Sequence, residues 1–134
     1  MTATRISLLL MVAVGLVSCQ PSTLDEAQTA VKDLLNDPQS AQFKEMETPS
    51  TGVACGEVNS KNAMGGYSDY TPFVFVSDRA KPRPVAEDRG VHFYSLDGAR
   101  EYFRVSEQYG CAAPGAWIQF KASMEKIGHK FAVE

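Results

Sequence analysis

The spacing of apolar positions shifts along the chain from helical to strand-like and back. Leu24, Ala27, Val31, Leu34 and Leu35 recur at helical spacing, so a first helix turns one apolar stripe toward a partner, most simply a sheet. Thr23-Leu24-Asp25-Glu26 matches a capping box, in which the Thr hydroxyl and the Glu carboxylate each satisfy a free backbone donor. Asn36-Asp37-Pro38 ends the helix, because the residue before a proline is pushed out of the α region. A turn at Asp37 to Ser40 leads to a short strand, Phe43 to Glu47. The cluster Thr48-Pro49-Ser50-Thr51-Gly52 reads as the next turn.

Val53 to Ser60 follows as a strand, with Val53, Cys55 and Glu57 on one side and Ala54, Gly56 and Val58 on the other. Gly56 weakens a strand interior unless another group approaches closely there. Phe73 to Val76 is continuously apolar, as in a strand covered on both faces. Asp78 to Gly90 is polar, mixed in charge and interrupted by prolines, which predicts an exposed, mobile loop. Val91 to Ser95 alternates again, Val91 and Phe93 against His92 and Tyr94. Asp97 is placed to cap a second helix carrying Ala99, Tyr102, Phe103 and Ser106 on one face, and Gly110 to stop it. Trp117, Phe120, Met124, Ile127 and Phe131 return to helical spacing between Pro114 and Gly128, with a strand at Trp117 to Lys121 as the competing reading. The sum is an α+β domain over residues 24–134: an N-terminal helix on an antiparallel sheet of about three to four strands, with one or two C-terminal helices.

Ahead of that domain, Met1 to Ser18 has the form of an export signal, with Arg5 before an apolar segment, Ile6 to Val17. At about twelve residues the segment is too short to span a bilayer. Leu16-Val17-Ser18-Cys19 resembles the lipobox of bacterial lipoproteins. That resemblance implies cleavage before Cys19 and lipidation of its sulfur and amine, with residues 19–23 as lipidated cysteine and short tether. Gln20 follows the cysteine rather than Asp, which by the same resemblance implies an outer-membrane lipoprotein facing the periplasm.

Charge narrows the partners. With 13 Lys and Arg against 16 Asp and Glu the net charge is −3, and loss of Arg5 with the leader makes it more negative. No basic stripe argues for nucleic acid or for anionic lipid, so the membrane partner is reached through acyl chains on Cys19 alone.

A second resemblance covers Val31 to about Val76. Asp37-Pro38-Gln39-Ser40-Ala41-Gln42-Phe43, then Cys55-Gly56-Glu57-Val58-Asn59-Ser60-Lys61-Asn62-Ala63-Met64-Gly65-Gly66-Tyr67, is similar to a signature of small exported bacterial and phage-associated proteins. The signature reads D-P-x-S-A-x-F, then C-G-x-V-N-x-K-N-x-x-G-G-Y, and brings no activity with it.

The chemistry that remains is sparse. With Cys19 lipidated, Cys55 and Cys111 are an even pair in an oxidising compartment and read as a disulfide. The alternative makes Cys55 a nucleophile, with His92 or His129 as base and Glu57 or Asp97 orienting it. His92 and His129 have no partner ligand at helical spacing, so neither a metal nor a cofactor is implied. Gly65-Gly66 lacks the spacing of a phosphate loop. The loop Asn59 to Tyr70 is the candidate binding surface, with Asn59, Lys61, Asn62, Gly65, Gly66, Tyr67 and Tyr70 as its residues. Tyr and Asn supply contact area and adaptable hydrogen bonds at small entropic cost. Equally, Gly65-Gly66 turns the chain, Asn62 tolerates a left-handed conformation, and Tyr67 and Phe73 belong to the core. The function expected is a non-enzymatic envelope lipoprotein binding a periplasmic or cell-wall partner; the alternative is a small envelope hydrolase or a hydrolase inhibitor.

Overall fold

The computed structural model describes residues 20–131, so the leader and Cys19 lie outside the described residues. Helix α1 spans Thr23–Lys32. Its capping box sits one residue earlier than the sequence suggests: the Ser22 hydroxyl accepts from the Asp25 amide at 3.2 Å, and the Asp25 carboxylate takes the Ser22 amide. Glu26, the acid expected in that role, instead pairs with Arg79 of the loop after the third strand. Ala27 and Val31 are buried, with Leu24 and Leu35 packed beside them. Leu34 does not join the stripe, because helical geometry has already ended at Lys32.

Strands β1 (Gln42–Ser50), β2 (Val53–Asn59), β3 (Thr71–Val76) and β4 (Gly90–Phe93) form one sheet in that order, each pair antiparallel. Strand β1 is longer than expected. Thr48-Pro49-Ser50 belong to it, and the turn contracts to Thr51-Gly52. A proline is tolerated there because β1 is an edge strand and needs no outward ladder bond. Gly52 holds φ at 74°, and a Cβ at that position would lie 2.5 Å from the Ser77 hydroxyl, so the tight turn requires glycine twice over. The β1–β2 register slips between Lys44 and Glu47, around Glu45 at φ 51°. That irregularity sends Met46 over Gly56, where a Cβ would lie 2.5 Å from its sulfur. The close neighbour that a glycine inside a strand calls for is therefore the thioether of the bulged edge.

The sheet is covered on both faces, as the unbroken apolar run of β3 requires. Ala54, Val58, Phe73 and Phe75 pack with Ala27 and Val31 under α1. Val53, Val74 and Val76 pack on the other face with Val105 of α2, which spans Ala99–Gln108, and with Tyr109, its C-cap. Asp97 does not cap α2: Gly98 is the N-cap, and its amide is taken by the Ser95 hydroxyl at 3.0 Å. The segment 78–90 is exposed only in part. Ala80, Pro84 and Asp88 are buried, and a 3-10 turn at Ala86–Asp88 carries the carboxylate of Asp88 inward, at 0% exposure.

The tail is helical. Helix α3 spans Ala116–Lys126, which decides residues 117–121 against a strand. It has no side-chain cap of its own. The Glu107 carboxylate of α2 accepts from the amides of Gly115 and Trp117, at 3.0 and 2.8 Å, and these bonds hold its pKa below the usual glutamate range. Phe120 packs against Tyr94 and Phe103, Trp117 against Phe103, and Phe131 closes over Trp117 and Phe120, in edge-on and tilted pairs, whereas Ile127 lies past the end of the helix and is exposed.

Candidate functional site

The strand register brings the two halves of the signature together. Gln42 and Phe43 lie opposite Asn59 and Val58. The 3-10 turn Pro38–Ser40, capped by the Asp37 carboxylate, therefore sits under the loop that leaves β2. The Ser40 hydroxyl accepts from the Lys61 amide at 2.8 Å, and the Ser40 carbonyl accepts from the Tyr67 hydroxyl at 3.3 Å. Lys61 and Tyr67 pair as a bridge, and the Lys61 ammonium lies 5.8 Å from the Tyr67 ring centre. Tyr70 bonds Gln42 through its hydroxyl and lies beneath the Lys44 ammonium at 4.3 Å.

Asn62 builds the loop's tip. Its Oδ1 accepts from the amides of Met64 and Gly66, at 3.0 and 3.2 Å, while its backbone exchanges bonds with Gly65 and Gly66. Its contribution is a side-chain turn and not a left-handed backbone; the positive φ falls on Gly65, at 81°. Asn62 is thus largely committed to holding the loop. Tyr67 is 47% exposed and Met64 96% exposed, while Val58 and Phe73 at the base of the loop are buried. The reading of Tyr67 as core is corrected by that exposure: β3 already fills the space beneath the loop with Phe73.

Asn59 is the last residue of β2, and it is 8% exposed with its Oδ1 lacking any hydrogen-bond partner. It lines a cleft of about 190 Å³ on the α1 side of the sheet. Leu35, Val58 and Phe93 give the cleft apolar walls, and Ser60, Ser68, Asp69 and Thr71 give it polar ones. Ser68, Asp69, Leu35 and Phe93 were not legible as site residues. They come together only through the α1–sheet packing, which no local spacing encodes.

The nucleophile arrangement does not assemble. Cys55 and Cys111 are joined as a disulfide with Cα atoms 5.8 Å apart, so no free thiol remains on β2. His92 Nε2 contacts the Asp88 carbonyl at 2.9 Å, and Glu57 is ion-paired with Lys44 at 2.7 Å. Among the described residues no group of His, Cys, Asp and Glu could hold a metal, and no helix is long and apolar enough to cross a membrane. Comparison with family models, with curated proteins and with solved structures found no match to this chain.

Proposed function

We propose that this chain is a non-enzymatic lipoprotein of the cell envelope, held in the outer membrane by acyl chains on Cys19 and facing the periplasm. Its loop 59–70 binds a periplasmic or cell-wall partner. The observation that carries the reading is the exposure of Tyr67 and Met64 on a loop whose tip is held by Asn62 and Gly65 and whose base is tied to Ser40 through the Lys61 amide as well as the Tyr67 hydroxyl. Apolar contact area on a preordered loop costs little entropy to dock, which is what a recognition surface needs. The lipobox-like tetrad at Leu16–Cys19 supports the anchor, and the Cys55–Cys111 pair suits an oxidising compartment. A hydrolase or inhibitor reading gains nothing from Cys55 or Glu57, both of which already have partners.

The anchor is tested with a fatty-acid probe. Wild type should be labelled and Cys19→Ala should not; an unlabelled wild type recovered as soluble protein contradicts it.

The loop is tested by Tyr67→Ala. Its stability should change by no more than about 0.5 kcal/mol, as at ordinary surface positions. Partner binding should fall by roughly 2 kcal/mol, the scale for an aromatic anchor. Thermal melts beside a crosslinking pull-down from membranes read both. A large melting shift with the partner retained would reduce the signature to a folding motif.

A further inference from the structure

We propose that the 78–90 segment lies against the phospholipid headgroups of the membrane that holds Cys19, so that loop 59–70 points away from the bilayer. The inference rests on Cys19 carrying the acyl chains. Reach sets the first constraint. Cys19 precedes Thr23, the first residue of α1, by four residues, which at full extension span about 14 Å. The start of α1 is therefore held near the membrane. It lies at one end of the sheet, because Glu26 in its first turn pairs with Arg79, just beyond the C-terminal end of β3. The β1–β2 turn is at that end too, since the Gly52 carbonyl accepts from the Ser77 amide at 2.8 Å. So is the start of β4, where Gly90 lies opposite Val76. Asn59 and Thr71, which bound the loop, close the other end of β2 and β3. At about 3.3 Å per residue, the seven residues of β2 separate the two ends by roughly 20 Å.

The surface at the anchored end sets the second. The 78–90 segment turns Ala80, Pro84 and Asp88 inward and leaves Lys81, Pro82, Arg83 and Val85 exposed, Val85 at 52%. Arg79 and Arg89 are committed to Glu26 and Asp78. Lys81 and Arg83 make no ion pair among the described residues, and Glu87 is the one acid of the segment likewise left over. Two free cations beside an exposed apolar side chain fit a headgroup layer: the cations meet phosphate oxygens while Val85 and Pro82 rest on the boundary with the acyl chains. The net charge of the whole chain, −3, gives no such attraction; the free cations are local to this stretch.

The sides of the domain fit the membrane less well. Lying on α1 would press the exposed Asp25 and Asp33 toward lipid phosphate. Lying on α3 would bring the exposed Ile118 and Ile127 to the lipid. It would also turn the tether to the far side of the domain, because α1 and α2 cover opposite faces of the sheet and α3 packs on α2.

The test uses the full, lipidated chain in vesicles of phosphatidylethanolamine and phosphatidylglycerol. A fluorophore is placed on Val85→Cys, Met64→Cys or Ile118→Cys, and a lipid spin-labelled at its headgroup serves as quencher. Cys55 and Cys111 are joined, so the added thiol takes the label. The proposal expects quenching at position 85 well above that at 64 and 118. Each cation near an anionic headgroup layer shifts the equilibrium between docked and free domain by roughly fivefold. Lys81→Ala with Arg83→Ala, both at exposed positions, should therefore lower the quenching at 85 while the acyl chains keep the protein on the vesicles. Equal quenching at the three positions, or quenching strongest at 64 or 118, overturns the orientation. Quenching at 85 that survives the double substitution unchanged overturns the part given to the two cations. A wild type recovered without lipid and free of vesicles would fell the anchor and the orientation together, whereas a lipidated protein with no preference for position 85 fells the orientation alone.

Discussion

Replacing Cys111 by Ser should lower the unfolding free energy by roughly 4 kcal/mol, the chain-entropy value for a loop of this size. The bond joins the middle of β2 to Cys111, three residues beyond the end of α2, across a separation of 56 residues. Within that span lie β3, β4, the 78–90 segment and all of α2. Reduction therefore frees the whole far half of the domain in the unfolded ensemble. In the folded state it also removes the covalent tie between α2 and the sheet face formed by Val53, Val74 and Val76. Denaturant melts of wild type with and without reductant, beside Cys111→Ser and Cys55→Ser, read the effect. All three perturbed forms should lose about the same stability, and the double variant no more than either single one. A Cys111→Ser midpoint equal to that of oxidised wild type would mean that the two sulfurs are not joined in the purified protein.

Asp88→Ala should cost about 3 kcal/mol, the scale for breaking a buried charged network. The Asp88 carboxylate is fully buried and bonded to the Arg104 guanidinium, to Gln108 Nε2 at 3.0 Å and to the Tyr109 hydroxyl at 3.0 Å. Without it Arg104 retains Glu101 and solvent, but the buried Tyr109 hydroxyl loses its acceptor and the 78–90 segment loses its fastening to α2. The Arg104 hydrogen bond, aided by those from Tyr109 and Gln108, holds the Asp88 carboxyl below its usual range despite burial. A carboxylate with a depressed folded pKa stabilises fully above its unfolded value of about 4. That contribution is lost as pH falls from there through the lower folded value. Urea midpoints should therefore hold steady from neutrality down to about pH 5 and then decline. Asp88→Asn should show a shallower decline, with Glu101 and Glu107 supplying what remains because both are also depressed. An unchanged acid slope in Asp88→Asn would show that another group drives acid unfolding.

Legibility followed the range of the interactions. The helical stripe of α1 and the two-faced burial of β3 were readable because each is a local periodicity with one packing consequence, whereas the tail's pattern left helix and strand open until α3 settled it. The division of β2 into Val53, Cys55 and Glu57 against Ala54, Gly56 and Val58 was readable for the same reason. Caps were misplaced where two adjacent residues could serve: Ser22 and Thr23 both carry the needed hydroxyl, and a distant Arg79 draws Glu26 away. Asp88 was hidden in a polar stretch because its partners lie 16 to 21 residues further on, in α2 and at its C-cap. In the candidate site the loop was visible from its Asn, Gly and Tyr content. The cleft was not, since Leu35, Asn59, Ser68 and Phe93 converge only in the folded chain.

The most direct test of the loop as a contact surface is site-specific photocrosslinking in intact cells that express the full chain. A photoreactive phenylalanine analogue replaces Tyr67 in one protein and Ile118 in another. Ile118 is the more exposed of the two, at 71%, but it lies on α3, away from the loop. The account predicts a discrete, reproducible adduct from position 67 and none of that mass from position 118. Adducts that match at both positions, or that form only at 118, would contradict it.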